Sequence, residues 1–557
     1  MNKPVIAIGL DAADPALLER WMAQGHLKTM RRFKEGGAYG RLKTFDFYRA
    51  ETPWTTFLTG CSPNTTGYWS PIKYHGHNYT VEEIEAYKFD EYRPFYALAG
   101  NRRVAVVDVP QAPVLEGING VQVSAWGAHS PQTPSESSPE ELFQELVARH
   151  GEHPLLRNDE ANILDLPDLQ RLQKGMETGI ARRAKICRDL LDRERWDLFL
   201  TVFGEAHVVG HYCWHMMHPS DHPLYKQMGA QYSGDMMLEV FEAMDRAIAE
   251  ILEKAPEDAY VMLFSAHGMG ANIMDIPSMI LLPEFLFRLN FPGKMGLAPG
   301  KVGSPLKPSI TGRHPRKEGW ASALWNTKYE PNPLKSFLRQ NLPSRYFNRI
   351  EPLFGNSSEP GPMSPFELFH QGQPQCFQPA VWYKHLWPQM KAFAIPTFSE
   401  GYIRINLQGR EPSGIVAPSE YNSLCDEIIE KLYRLRDART GKPMVKGVLR
   451  TRKAAADQDP KLPDADIVVT WQEECVTDTV DSPDVGRIGP VPYTRTGSHR
   501  ADGFLAIQGP GVASGTKLPD GHSLDLAPTI LSLMNVAIPP HFEGKPLAQA
   551  PSMAPLL

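Results

Sequence analysis

Apolar and polar positions along the chain separate into two repeating patterns. Residues 4–10 form an apolar run ended by Asp11, and residues 13–35 carry helical periodicity, as a buried parallel strand followed by its crossover helix does. The pattern recurs in strands at 104–108, 197–203 and 259–264, with amphipathic helices at 168–194 and 235–254. After residue 391 it returns, with strands at 402–407 and 466–471 and a helix at 418–436. Alternation of this kind predicts an α/β fold, a three-layer sandwich around a mostly parallel central sheet. In such sheets chemistry sits on the loops that leave the carboxyl ends of the strands.

Between 283 and 380 the periodicity stops and Pro/Gly-rich text with aromatics takes over. A segment of that length without periodic elements reads as a cap or lid insertion. The expected organisation is one α/β core made of 1–282 and 381–557, with 283–380 laid over it. Composition sharpens this: proline is 50 of 557 residues, about twice ordinary usage, and its densest non-periodic stretch is the insertion.

Hydrophobic residues at 42% and charged residues at 22% describe a packed globular chain, excluding wholesale disorder. The net charge is −6 with no Lys/Arg block, which argues against a nucleic-acid partner. No apolar stretch reaches the roughly 18 to 20 residues that span a bilayer, so no membrane partner is expected. Six scattered cysteines without CxxC spacing suggest neither a disulfide framework nor a zinc finger, and a cytoplasmic setting is expected. Homo-oligomerisation stays open.

The strand ends deliver candidate chemistry. Asp11 ends the first strand; Glu205 and His207 follow the strand at 197–203, with His211 four residues on; His267 follows the strand at 259–264; His499 precedes an apolar run at 504–507. Imidazoles and a carboxylate on one rim are the donors of a zinc-like or iron-like site. A lone Asp after a strand also serves as a helix cap. His215, His218 and His222 have the spacing of a solvated helical stripe. Arg404 and Asn406 are expected to hold structure together.

In order and content these segments resemble the alkaline phosphatase superfamily, in its type I phosphodiesterase/nucleotide pyrophosphatase branch. Residues 8–13 resemble the opening strand with its metal aspartate, and 53–60 with 63–67 the helix after the nucleophile. Residues 205–211 resemble E-P-D-x-x-G-H, 265–269 resemble S-D-H-G-M, 497–499 resemble G-x-H, and 524–531 with 543–547 the C-terminal signature. The resemblance implies one or two divalent metals, zinc foremost with iron or manganese as alternatives, clamping a phosphoryl group during in-line attack. One ion would take His207, His211 and His499; the other would take Asp11, His267 and further groups.

Three departures stand out. His207 replaces the aspartate of D-x-x-x-H, Ala266 replaces that of S-D-H-G, and the expected nucleophile falls on Ala50 or Glu51. Thr52 is the nearest hydroxyl and is also placed to cap the helix. Glu51 is placed to restore the carboxylate lost at Ala266, and a metal-activated water is the third attacking group. Glu205 becomes a general base or a residue supporting the ligands. The expected activity is metal-dependent hydrolysis of a small anionic phosphate ester or diester. The alternatives are redox, lyase or other hydrolytic chemistry at a His-rich, iron-like site, and a non-catalytic metal-binding protein.

Overall fold

The computed structural model describes residues 3–49, 52–127, 133–156, 165–303, 319–342, 344–354 and 360–549. Its main sheet is built from β1 (Val5–Leu10), β2 (Ala38–Lys43), β3 (Val104–Val107), β4 (Gly120–Ser124), β5 (Glu136–Ser138), β6 (Leu198–Phe203) and β7 (Tyr260–Ser265). A short β8 (Gly268–Ala271) follows β7 outside this sheet. Strands β1, β3, β4, β6 and β7 run parallel, with β1 between β6 and β7. β1 is buried along its whole length. Its alternate residues serve opposite layers: Ile6, Ile8 and Leu10 join one core cluster, Val5 and Ala7 another. This explains an apolar run without polar alternation.

The covering helices are legible in their apolar spacing. α1 (Pro15–Ala23) follows β1, and α2 (Thr52–Thr59) packs on the opposite face. α3 (Leu166–Arg193) is capped by Asp165, whose side chain accepts from the Asp168 N–H, and buries Leu169, Leu172, Met176, Ile180 and Cys187. α4 (Glu205–Cys213) and α5 (Met236–Leu252) complete that layer. The helix expected over 13–35 is two helices, because Gly25 adopts φ 88° and ends the first before Lys28–Gly36 begins.

A second apolar core spans residues 48–493 and surrounds an antiparallel sheet of β9 (Ala392–Ile395), β10 (Gly401–Ile405), β11 (Val445–Arg450) and β12 (Ile467–Trp471), in the order β9-β10-β12-β11. The strands at 401–405 and 467–471 therefore do not rejoin the main sheet as their pattern suggested. The stretch 283–380 contains short helices, and proline occupies the first turn at Leu282–Asn290, Pro333–Asn341, Pro365–His370 and Pro379–Trp382. Proline there is pre-set for the helix and gives up an N–H that has no partner in any case. Four of the prolines in this stretch thus mark helix starts. Arg404 bonds Glu411 and the Asp464 carbonyl, and Asn406 bonds Tyr79 and the Trp387 carbonyl, inside this core.

Outside the main sheet β13 (Gly497–Arg500) pairs antiparallel with β8, and the chain then closes on the main sheet with β14 (Asp502–Gln508), β15 (Thr516–Lys517) and β16 (Gly521–His522), followed by α6 (Leu526–Leu533). Strand order across the main sheet is β15-β2-β14-β7-β1-β6-β3-β4-β5, with β16 also on β2. Among the described residues, no helix is long and apolar enough to cross a membrane.

Candidate metal centre

The strand ends converge as the pattern predicts. Asp11 leaves β1 and His267 leaves β7; the His267 Nε2 lies 3.7 Å from Asp11 Oδ1, with both side chains buried. Trp54 on α2 donates its indole N–H to Asp11 Oδ1 at 2.9 Å. Ser265 fastens the two strand ends: its hydroxyl accepts from the Ala13 N–H at 3.0 Å and lies 2.6 Å from the Leu10 carbonyl and 2.7 Å from that of His267. Between them Ala12 sits at φ 58°, a left-handed backbone that a non-glycine residue holds only when its surroundings impose it.

His207 and His211 lie one turn apart on α4, and His499 comes from β13. Their ligand nitrogens all fall within 4.8 Å of one another, and all three residues are buried. The His207 and His211 Nε2 atoms are 3.0 Å apart, close to the roughly 3.3 Å that two nitrogens adopt on a tetrahedral zinc with bonds of about 2.0 Å. His211 Nδ1 lies 2.7 Å from the Gly497 carbonyl, and His499 Nδ1 lies 3.2 Å from that of Arg49. A carbonyl only accepts, so each Nδ1 carries the proton and each Nε2 keeps a lone pair for a cation. The His267 and His499 rings are 4.8 Å apart, which joins the Asp11 side of the site to the triad. The donor set therefore fits a borderline divalent metal.

Ala266 is fully buried, and the site has no carboxylate at that position. Glu51, like Ala50, lies outside the described residues. Thr52 opens α2, is buried, and donates its hydroxyl to the Tyr48 carbonyl at 2.5 Å.

Glu205 begins α4, and its carboxylate is held by His153 at 2.9 Å and by Arg183 at 3.4 Å, while Arg183 also bonds Asp108 at 2.8 Å. Burial would raise this carboxyl, but the Arg183 guanidinium and the His153 hydrogen bond overcome it and lower it to about 2. The sequence reading missed His153, Arg183 and Asp108 because they come from three distant segments. Arg49, buried with Glu400, was missed for the same reason. His215 and His222 are buried, not a solvated stripe, and burial pushes His215 down to about 3. Their backbone folds back against the 493–496 segment, where Thr496 meets the His215 ring and Tyr493 the His222 ring.

Gly210 on α4 and Gly497 on β13 mark the closest approach of these two elements. A methyl group on Gly497 would lie 2.0 Å from the Gly210 carbonyl oxygen. Gly497→Ala is expected to push α4 off β13, destabilising the fold by about 1–3 kcal/mol and spreading the triad. Denaturant unfolding and metal titration of the variant check this.

A family model described as type I phosphodiesterase / nucleotide pyrophosphatase matches residues 5–361, a stretch holding Asp11, His207, His211 and His267 but not His499. Two crystal structures of phosphonoacetate hydrolase from Sinorhizobium meliloti 1021 are similar in fold, each at 14% identity and covering 96% of both chains. The complex with phosphonoformate superposes with a TM-score of 0.48 and that with phosphonoacetate with 0.47. No curated protein matches the chain. With its α/β core and the family match over 5–361, the chain belongs to the type I phosphodiesterase/nucleotide pyrophosphatase family of the alkaline phosphatase superfamily.

Proposed function

We propose that this protein hydrolyses a phosphate ester or diester of a small anionic molecule, using a divalent metal held by His207, His211 and His499. Asp11 and His267 form the second half of the centre, with Glu51 as a further carboxylate. The observation that carries this reading is the buried triad, with two of its imidazoles fixed in the ligand tautomer by backbone carbonyls. A zinc-like ion bound there supplies Lewis acidity, drawing charge from a phosphoryl oxygen and acidifying water.

The chain's own residues do the rest. Trp54 and Ser265 fix the Asp11 carboxylate and the strand ends that carry it. Glu205 acts as a positioning residue, since its carboxylate is bound to His153 and Arg183 and anchors the start of the helix bearing His207 and His211. Thr52 is the candidate attacking hydroxyl: it opens α2, whose positive end favours developing negative charge on its oxygen, while its bond to the Tyr48 carbonyl fixes the side chain without taking its proton. We assign residues 283–380 to substrate selection and the protein to the cytoplasm.

The second reading, non-phosphoryl chemistry at an iron-like centre, is favoured by the all-imidazole triad and by Ala266. Metal analysis of the purified protein, with assays on bis(p-nitrophenyl) phosphate and p-nitrophenyl phosphate, separates the two. Two equivalents of zinc with ester hydrolysis support the first reading. Iron, or a single ion without ester hydrolysis, supports the second, and absence of any bound metal overturns both.

A further inference from the structure

Two buried carboxylates, each paired with an arginine and a backbone N–H, lie outside the triad. Glu284 accepts from Arg288 Nε at 2.6 Å and the Gly296 N–H at 3.0 Å on one oxygen and from the Tyr383 hydroxyl on the other. Glu400, in the turn between β9 and β10, accepts from Arg49 Nε at 2.9 Å on one oxygen and from the Tyr48 N–H at 2.9 Å on the other. They differ in what lies beyond them. Arg288 turns back into the second core, donating to the carbonyls of Leu297 and Arg487. Glu400 holds the 48–49 segment at the edge of that core, and the Arg49 it binds offers its carbonyl to His499 Nδ1.

We infer that Glu400 is a positioning residue for the metal centre: it fixes the Tyr48–Arg49 backbone, and through the Arg49 carbonyl it sets the tautomer and ring orientation of His499. The inference rests on the metal reading above. The Arg49 and Glu400 side chains are 1% and 0% exposed, so the pair is rigid and shielded from solvent. Tyr48 sits at φ 59°, a conformation that a bulky residue keeps only under constraint. The constraint is visible in the Glu400 bond to its N–H and in ring contacts at 4.7 Å with both Trp69 and Tyr402. The turn carrying Glu400 is itself pinned, since Ser278 donates to the Ser399 carbonyl at 2.8 Å and accepts from the Trp471 indole at 2.7 Å. Partners that orient a ligating imidazole are typically worth about 10- to 100-fold in metal affinity.

The test is cobalt(II) titration of the metal-free full-length protein, followed by visible absorption, with circular dichroism confirming that each variant is folded. E400Q is expected to weaken cobalt binding by about 10- to 100-fold and to alter its visible spectrum. E284Q removes the same kind of buried anion and is expected to lower thermal stability comparably while leaving cobalt affinity within about twofold of wild type. If E400Q does not fold, the pair E400D and E284D is read the same way. Unchanged affinity in the Glu400 variant, or an equal loss in the Glu284 variant, overturns the positioning role and leaves the metal site standing. A wild-type protein that binds no cobalt overturns the metal reading and this inference together.

Discussion

His211→Ala is expected to lower kcat/KM on bis(p-nitrophenyl) phosphate by at least about 10³-fold, because a bound metal supplies several kcal/mol of transition-state stabilisation and each 1.4 kcal/mol is a factor of ten. The variant removes one of three nitrogens that converge within 4.8 Å, leaving a pair from two different elements. It also strips the Gly497 carbonyl of its imidazole partner, at a cost of about 1–3 kcal/mol for a buried acceptor left without a donor. Most of the rate effect therefore comes through the metal, and metal content should fall with activity. Kinetics and metal analysis on the same preparation check this, and full activity with full metal content would place the centre elsewhere.

Arg183→Met is expected to be the most destabilising single change near the site. It leaves Glu205 and Asp108 buried without the cation between them, a loss of about 3–5 kcal/mol for a broken buried pair. The pH dependence carries its own sign. The folded state lowers Glu205 from 4.5 to about 2, so its ionised form binds the native state better than the unfolded chain does. That contribution, about 3 kcal/mol at 1.36 kcal/mol per pH unit, is fully present above pH about 4.5 and is lost as pH falls towards 2. In Arg183→Met it should shrink markedly, because the largest influence lowering this carboxyl is removed and only His153 still holds the ionised form against burial. Urea unfolding of both proteins across that window measures it; equal slopes would refute the pairing.

The strands and the candidate residues that follow them were legible for a common reason. Central parallel strands are buried on both faces, so they read as unbroken apolar runs, and a polar residue such as Asp11 or His267 right after one is conspicuous. The second core left no such trace. Its short antiparallel strands look like those of the main sheet, and only pairing partners far along the chain, such as Gly401 with Val469, reveal that they belong elsewhere. The groups around the ligands were hidden for a related reason. Arg49 and Glu400 are 351 residues apart, and His153 and Glu205 are 52 apart, so no local spacing announces either contact. His215 and His222 misled because helical spacing carries no information about which side the protein covers.

The place of β14 between β2 and β7 has a consequence for how the chain is made. β2 ends at Lys43, yet its neighbours in the sheet, β14, β15 and β16, lie at residues 502–522. Until those last strands are made, β2 has no partner in the sheet, and until β13 is made the triad lacks His499. A chain made only as far as β12 therefore leaves β2 without a sheet neighbour and the histidine cluster one member short, so the candidate centre is assembled only when β13 and β14 dock.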